Sequence, residues 1–519
     1  MSVLLSIFIT AHREGLIAHK TMRSLERALR RLDESCIDYE AIVHIDDGDE
    51  VTRAYFERQS LFATTVFENA FGDIGTSRNF CVEQASGRYV AFIDADDLVG
   101  GNWLVDALEH LEERPNVIAH AEYSVLFGES CVVWPKANSG PIDVERLIAV
   151  SDNRWDSAIV ARRELLEDNP YSSNVGGFGM EDWHFNCETL SRGIEHHVVP
   201  ETALFVRRKA ESMMTRQAVN FHTVQYTRML DFVEVARLNA DARHHAESCA
   251  PGRVRRSIEW LTRRGGEPHE PDPRERRLPG WLYDQWLDMH DLDKELFPPR
   301  GRDESPPIYR CDQVRQAGLV YKGVADSLSA ARIDHLVFAP SCFDGEGERI
   351  AVRDANRMAR KHPRLRVAVF TTDDGRAART CVPERTVDYV DFGAMCDGLS
   401  KDEQLRLLAR IIVQARVNRI QVVNSALASA WVERHKQLIR TLGIEVYPSA
   451  IRSEWDETGR EGGFVHDRLP AIMDVTTRVL AEDQDLADRL ISEYGYERDR
   501  FVVDDGFAGQ HQPGPIKVR

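Results

Sequence analysis

Over roughly residues 2–215, short apolar runs alternate with stretches whose apolar positions recur every three or four residues. "SVLLSIFITA" is a continuous apolar run of strand length, while from Glu14 to Asp33 the apolar positions gather on one helical face. "YEAIVHIDD" reads as a second strand, "GTSRNFCVEQAS" as a helix and "RYVAFIDADD" as a third strand. "NWLVDALEHLEER" and "NVIAHAEYSVLF" follow as a further helix and strand. Strands and helices in alternation predict an α/β domain with a mainly parallel sheet.

The pattern changes over 216–330. "RLNADARHHAESCAPGRVRRSIEWLTRR" is helical and charged, and "RGGEPHEPDPRERRLPG" and "PPRGRDESPP" are Pro- and Gly-rich breakers. This stretch is expected to be a helical linker. From 331 to 519 a second alternation begins. "DHLVFAP", "RVAVFTT", "RIQVVNS", "IEVYPSA", "TRVLAED" and "FVVDDG" are strand candidates separated mostly by helical stretches, which predicts a Rossmann-like doubly wound domain. No repeat relates the two α/β stretches.

Composition narrows the function. At 519 residues the chain has room for two or three cores. It has no apolar run long enough to span a bilayer, and its start lacks the basic region of a signal peptide. Nine scattered cysteines without a CxxC pair suit free thiols in a reducing cytoplasm. The formal net charge of −18 excludes general nucleic-acid binding, which needs a basic surface. An anionic substrate then needs a metal ion or local arginines.

The chemistry concentrates at strand ends, where open α/β sheets bind ligands. The third strand closes in Asp94, Asp96 and Asp97, three carboxylates within four residues. Crowded like charges require a cation, backbone donors or water, and hard oxygens of this kind suit Mg²⁺ or Mn²⁺. A polar turn with one aspartate capping the helix near Asn102 fits the same residues. Asp46, Asp47 and Asp49 around Gly48 end the second strand, where an Asp-Gly turn is the simpler reading. Arg78 opens a helix from which a guanidinium reaches a base or a phosphate. Glu181 and Asp182 follow the glycine run of "GGFGMEDWHF", in the place of helix-start charges. Trp155 and Trp183 are candidate sugar platforms, with core packing the commoner use of tryptophan. His196-His197 has no spaced partners and reads as a surface pair.

Taken in order, "TAHRE", "IDDGDE", "GTSRN", "FIDADD", "GMEDW" and "VRRKAESMM" resemble the family-two glycosyltransferases of the GT-A fold, over residues 1–215. The resemblance implies that Asp94 and Asp96 form that family's D-x-D motif. Asp94, Asp96 and Asp97 would then lie at a Mn²⁺ or Mg²⁺ ion against the donor diphosphate. It implies donor contacts from Thr10, His12, Glu14, Asp46, Asp47, Asp49, Arg78 and Asp94, and from Arg207, Arg208 and Lys209. Asp182 matches the family's catalytic base beside Glu181, for a single displacement that inverts the sugar. Trp155 and Trp183 would face the acceptor. The implied partners are a nucleotide-sugar donor, most often a UDP-sugar, and a glycan or lipid-linked glycan acceptor. The implied setting is bacterial surface polysaccharide synthesis, in the cytoplasm or peripherally at the inner face of the membrane.

Residues 331–519 resemble the amino-terminal half of a GT-B, family-four glycosyltransferase, through "FAPSCFDGEGERIAVRDANRMAR", "QVVNSALASAW" and "RVLAEDQDLADRLISEYGYERDRFVVDDGF". With no E-x7-E donor motif before "GPIKVR", a shortened transferase or a non-catalytic remnant is expected there. Three other classes use similar residues. A sugar nucleotidyltransferase needs a glycine-rich loop after the first strand, which "TAHREGLIAHK" does not supply. An aspartyl-phosphate phosphatase fails at the fifth position of "DADDL". A glycan-binding or scaffolding module stays open, above all for 331–519.

Overall fold

The computed structural model describes residues 3–173, 178–209, 223–237, 278–301, 306–340, 346–373, 383–451, 454–455 and 461–503. The chain forms two compact units: 1–216 with 238–314, and 217–237 with 315–519. The stretch expected as a linker is therefore shared between them. Most of its charged helical segment and its first breaker lie outside the described residues.

In the first unit, strand β1 (Leu5–Ala11) is buried along its whole length, as a central strand covered on both faces must be. Helix α1 (Ala18–Glu34) buries Ala18, Met22, Leu25, Leu29 and Leu32, one face at helical spacing, in the same core as Leu5, Ile7 and Ile9. Strand β2 (Tyr39–Asp46), helix α2 (Glu50–Arg58), strand β3 (Thr65–Asn69), helix α3 (Ile74–Gln84) and strand β4 (Tyr89–Asp94) follow. Next come β5 (Leu98–Val99), α4 (Trp103–Glu113), β6 (Val117–Gly128), β7 (Val132–Pro135) and α5 (Ile142–Ala149). Then β8 (Ile159–Arg162), α6 (Arg163–Asp168), α7 (Glu181–Ser191), β9 (Glu195–Arg208) and α8 (Gly280–Leu292) complete the elements used below.

The sheet order is β3-β2-β1-β4-β8-β6-β9-β5, with β7 paired to β6. Its first four strands match the expected parallel sheet, and β9 runs parallel to β6. β8 runs antiparallel to both β4 and β6, and β5 and β7 are antiparallel to their partners. The sheet is mixed rather than mainly parallel: the short return from β6 makes β7 an antiparallel neighbour, and β8 enters between β4 and β6 running against both. Parallel pairing of β1 with β4 sets Thr10 directly opposite Asp94, and β1 with β2 sets Thr10 opposite His44.

Among the described residues, the main sheet of the second unit has seven parallel strands. In space they run Val387–Asp391, Val367–Thr371, His335–Ala339, Arg419–Val423, Glu445–Ala450, Val479–Ala481 and Phe501–Val503. In chain order this is 3-2-1-4-5-6-7, a doubly wound arrangement. The strand Val387–Asp391 escaped the sequence reading because "VDYVD" carries two carboxylates. Helix Lys401–Gln414 starts at a capping box of Ser400 and Glu403. Residues 343–345 of the glycine-rich "FDGEGER" lie outside the described residues. Among the described residues, no helix is long and apolar enough to cross a membrane, and Cys36, Cys81, Cys131, Cys187, Cys311 and Cys396 carry free thiols.

Candidate active site

Asp94 closes β4 and is held from three sides. Thr10 Oγ1 donates to its Oδ1 at 2.6 Å, Ser157 Oγ donates to its Oδ2 at 3.1 Å, and Arg78 lies 3.5 Å from Oδ1. The strand ends there, and Asp97 N closes a turn on Asp94 O at 3.1 Å. The chain does not stay extended through Asp96, so Asp94 and Asp96 are not placed side by side by strand alternation. Asn102 precedes α4 without a side-chain cap, so no aspartate of the cluster caps that helix.

Asp96 pairs with Lys209 at 2.7 Å. Asp97 accepts the backbone N–H of Arg207 at 2.8 Å. Burial, then the charges of Asp96 and Asp94, pushes the Asp97 carboxyl well above the usual carboxylate range. Among the described residues no three metal-ligating side chains converge into a preformed cage. The donor set instead fits a hard cation held through one or two carboxylates, with phosphate oxygens completing the shell.

Arg78 joins the two halves of the site. Its side chain is 2% exposed, it pairs with Glu181 at 3.2 Å as well as with Asp94, and it lies over the Tyr171 ring. A guanidinium so enclosed by protein carboxylates organises the site and has no face turned to a base. Glu181 and Asp182 open α7, which the chain enters through Gly179 and Met180, both with positive φ. A left-handed methionine is uncommon and costs backbone energy. Met180 makes no side-chain cap, and Asp182 Oδ1 accepts Trp183 N at 2.8 Å within the first turn. Asp182 Oδ2 accepts from Asn153 Nδ2 at 2.9 Å, and Asn186 in turn holds Asn153 at 2.9 Å. Burial and the neighbouring Glu181 raise the Asp182 carboxyl to about 7, against the opposing pull of Arg78. Gly176 and Gly177, before this turn, lie outside the described residues.

The remaining candidates divide sharply. Glu14 accepts His12 N at 2.6 Å, and burial, with Asp96 as an added like charge, raises its carboxyl. His12 Nδ1 lies 2.6 Å from Asp46 O. Asp46 is consumed locally: it accepts from Phe71 N, Gly72 N, Asp73 N and Ser77 Oγ at 2.6 to 3.2 Å. Asp47, at φ 50°, pairs with exposed Arg13 at 2.6 Å. Asp49 caps α2 through Thr52 N at 2.8 Å. In this geometry Asp46 and Asp49 each hold the protein's own backbone, Asp46 a loop and Asp49 a helix start.

Arg207 also differs from expectation. Its guanidinium, 4% exposed, pairs with Asp293 and with Glu295, donates to Asp96 O at 3.3 Å and lies over Phe127. It is a buried strut, not a free diphosphate clamp. Arg208 closes β9, and of that basic stretch Lys209 is the residue that reaches the acidic turn. The tail of "VRRKAESMM" beyond Lys209 lies outside the described residues.

Trp155 and Trp183 are 1% and 3% exposed, so neither offers a ring face to a sugar. Trp155 donates to Ala137 O at 3.1 Å and stacks on His196 at 4.6 Å between centroids. His196 and His197 are buried, not on the surface: His120 lies 2.9 Å from His196, whose other nitrogen meets Thr189 at 2.8 Å. Asn153 and Ser157 in "NRWDS", and Lys136 paired in the interior with Asp156, are site residues the sequence did not signal. They sit in short polar stretches without periodicity.

Residues 6–171 match the family model described as Glycosyl transferase family 2. No curated protein matches significantly. Solved structures with limited likeness include TarS of S. aureus, at 15% identity over 62% of this chain and 52% of that one, with TM-score 0.32. TarS 1-349 in complex with UDP-GlcNAc shows 13% identity over 62% and 88%, with TM-score 0.31. GalNAc-T7 with UDP, GalNAc and Mn²⁺ shows 14% identity over 40% and 44%, with TM-score 0.31. The chain spans about half the length of the first of these. The family match runs from β1 through β8 and takes in Thr10, Arg78, Asp94 and Ser157, so residues 6–171 are similar to the glycosyl transferase family 2 domain.

Proposed function

We propose that the first unit transfers a sugar from a nucleoside-diphosphate donor to an acceptor hydroxyl, in one inverting displacement. The observation that carries this reading is Arg78, which ties Asp94 at the end of β4 to Glu181 at the start of α7. Asp182, buried and raised to about 7, follows Glu181 directly and feels the charge of the same Arg78. A base with this affinity for protons is matched to neutral conditions. Asp182 takes the acceptor proton, Asn153 and Trp183 N orient its carboxylate, and Glu181 anchors the turn through Arg78. Thr10 and Ser157 keep Asp94 fixed, so the site is preorganised. A Mn²⁺ or Mg²⁺ ion would be held by Asp96 and Asp97 with Asp94 beside them, and supplies Lewis-acid stabilisation of the leaving diphosphate. His12, Glu14 and Asp47 line the nucleoside side, and Arg208 and Lys209 the diphosphate side.

We infer a UDP-sugar donor and a glycan or lipid-linked glycan acceptor, in cytoplasmic synthesis of a bacterial surface polysaccharide. For 331–519 the parallel sheet supports an acceptor-holding, GT-B amino-terminal-half-like role. The test is a panel of nucleotide sugars with Mn²⁺, Mg²⁺ or chelator, read by thermal shift and by donor hydrolysis. One nucleotide should stabilise the protein in a metal-dependent way. Absence of any nucleotide response refutes the reading.

A further inference from the structure

We propose that Asp293, with Glu295, is a positioning residue for the donor site, acting through Arg207; the inference rests on the transferase reading above. Asp293 follows α8, outside the family-matched stretch, and is completely buried. Its Oδ1 accepts from Lys20 Nζ at 2.7 Å and from Glu295 N at 3.0 Å, while Oδ2 takes an Arg207 nitrogen. Glu295 takes a second guanidinium nitrogen at 2.5 Å. The third, Nε, donates to Asp96 O at 3.3 Å, and the Arg207 backbone N–H goes to Asp97 Oδ1 at 2.8 Å. One residue thus grips the acidic turn on one side and two carboxylates of a distant segment on the other.

The charge arrangement gives this grip a purpose. A buried guanidinium seeks carboxylates, and Arg207 already meets the acidic turn at the Asp96 carbonyl and, through its backbone N–H, at Asp97. Asp293 and Glu295 satisfy it from behind, so Arg207 touches Asp96 only through its carbonyl. The negative charge of the turn is thereby kept for a cation and a diphosphate. Without Asp293 the guanidinium turns toward the Asp96 and Asp97 side chains. It then competes with the cation, and the turn loses its fixed shape.

The test uses the full chain. Asp293→Asn, Glu295→Gln, Asp293→Glu and Lys20→Met are compared by calorimetry with UDP and Mn²⁺, and by amide exchange over residues 94–99 without nucleotide. Asp293→Asn should weaken Mn²⁺-supported UDP binding by about tenfold, and Glu295→Gln by less. Both should speed exchange over 94–99, with partial rescue in Asp293→Glu. Lys20→Met removes the other partner of the same carboxylate, and should lower the melting temperature without changing UDP affinity. Wild-type affinity and exchange in folded Asp293→Asn overturn the proposal, as does an affinity loss in Lys20→Met equal to that of Asp293→Asn. Should Asp293→Asn not fold, Glu295→Gln decides, since its side chain is 63% exposed. If the wild type binds no nucleotide, the transferase reading fails while the exchange data still decide the strut.

Discussion

Replacing Asn153 with alanine should shift the pH dependence of turnover upward, because it removes a hydrogen bond that favours the charged form of Asp182. A hydrogen bond to a charged group contributes about 1.5–3 kcal/mol, and each ~1.4 kcal/mol moves a midpoint by about one pH unit. The wild-type limb, starting from about 7, should therefore move up by about one to two pH units in Asn153→Ala. A general base works only when deprotonated, so at neutral pH the variant keeps roughly one tenth to one hundredth of the base form, and recovers in alkali. Glu181→Gln should shift the limb the other way, since a like charge that raises the Asp182 carboxyl has been removed. Asp182→Asn should lose about 10²–10⁴-fold in kcat above the wild-type limb, with donor affinity little changed. The assay is the initial rate of donor consumption between acid and alkaline buffers, once donor and acceptor are identified. An unmoved limb in both Asn153→Ala and Glu181→Gln, or normal turnover in Asp182→Asn, removes Asp182 from the chemistry.

Asp96→Ala should abolish metal-supported UDP binding while leaving the apo melting temperature nearly unchanged, because its partly exposed pair with Lys209 contributes at most about 1 kcal/mol. Nucleotide affinity equal to wild type, with and without chelator, would sink that assignment. Trp155→Ala should cost about 3–5 kcal/mol of stability as a core truncation, and the folded fraction should keep wild-type sugar affinity; a selective loss of affinity with unchanged melting would restore the platform role. Acid should destabilise the chain through its buried histidines. Burial holds His196 down at about 3, and His335 and His435 at about 4, so each stays neutral in the native state. The unfolded chain takes up their protons below about 6.5, so stability falls as pH drops from there toward those values. Melting curves from neutral to mildly acidic pH should show the decline, and a His196→Asn variant with the same slope would remove His196 from the explanation.

Periodicity alone determined the strands that carry the site. β1, β2 and β4 are buried on both faces, so their continuous apolar runs leave no other packing for them. The carboxylates stand at strand ends for the same reason: Asp94 is where the apolar run stops and solvent begins. The six strands expected in the second α/β stretch were legible on the same grounds. Local sequence could not say what each polar side chain would meet. Asp46 and Asp49 look alike beside Gly48, yet one binds a loop's amides and the other caps a helix. Arg207 and Lys209 stand two residues apart, so on one strand their side chains point the same way. Arg207 is nevertheless drawn back onto Asp293, 86 residues away, and Lys209 pairs with Asp96. Asn153 and Asp182 meet only because the loop before β8 passes the start of α7. Such pairings follow from burial and charge in three dimensions, where a side chain's partner is whichever group shares its pocket. The neighbours that decide whether a carboxylate binds, caps or catalyses are supplied by the tertiary structure.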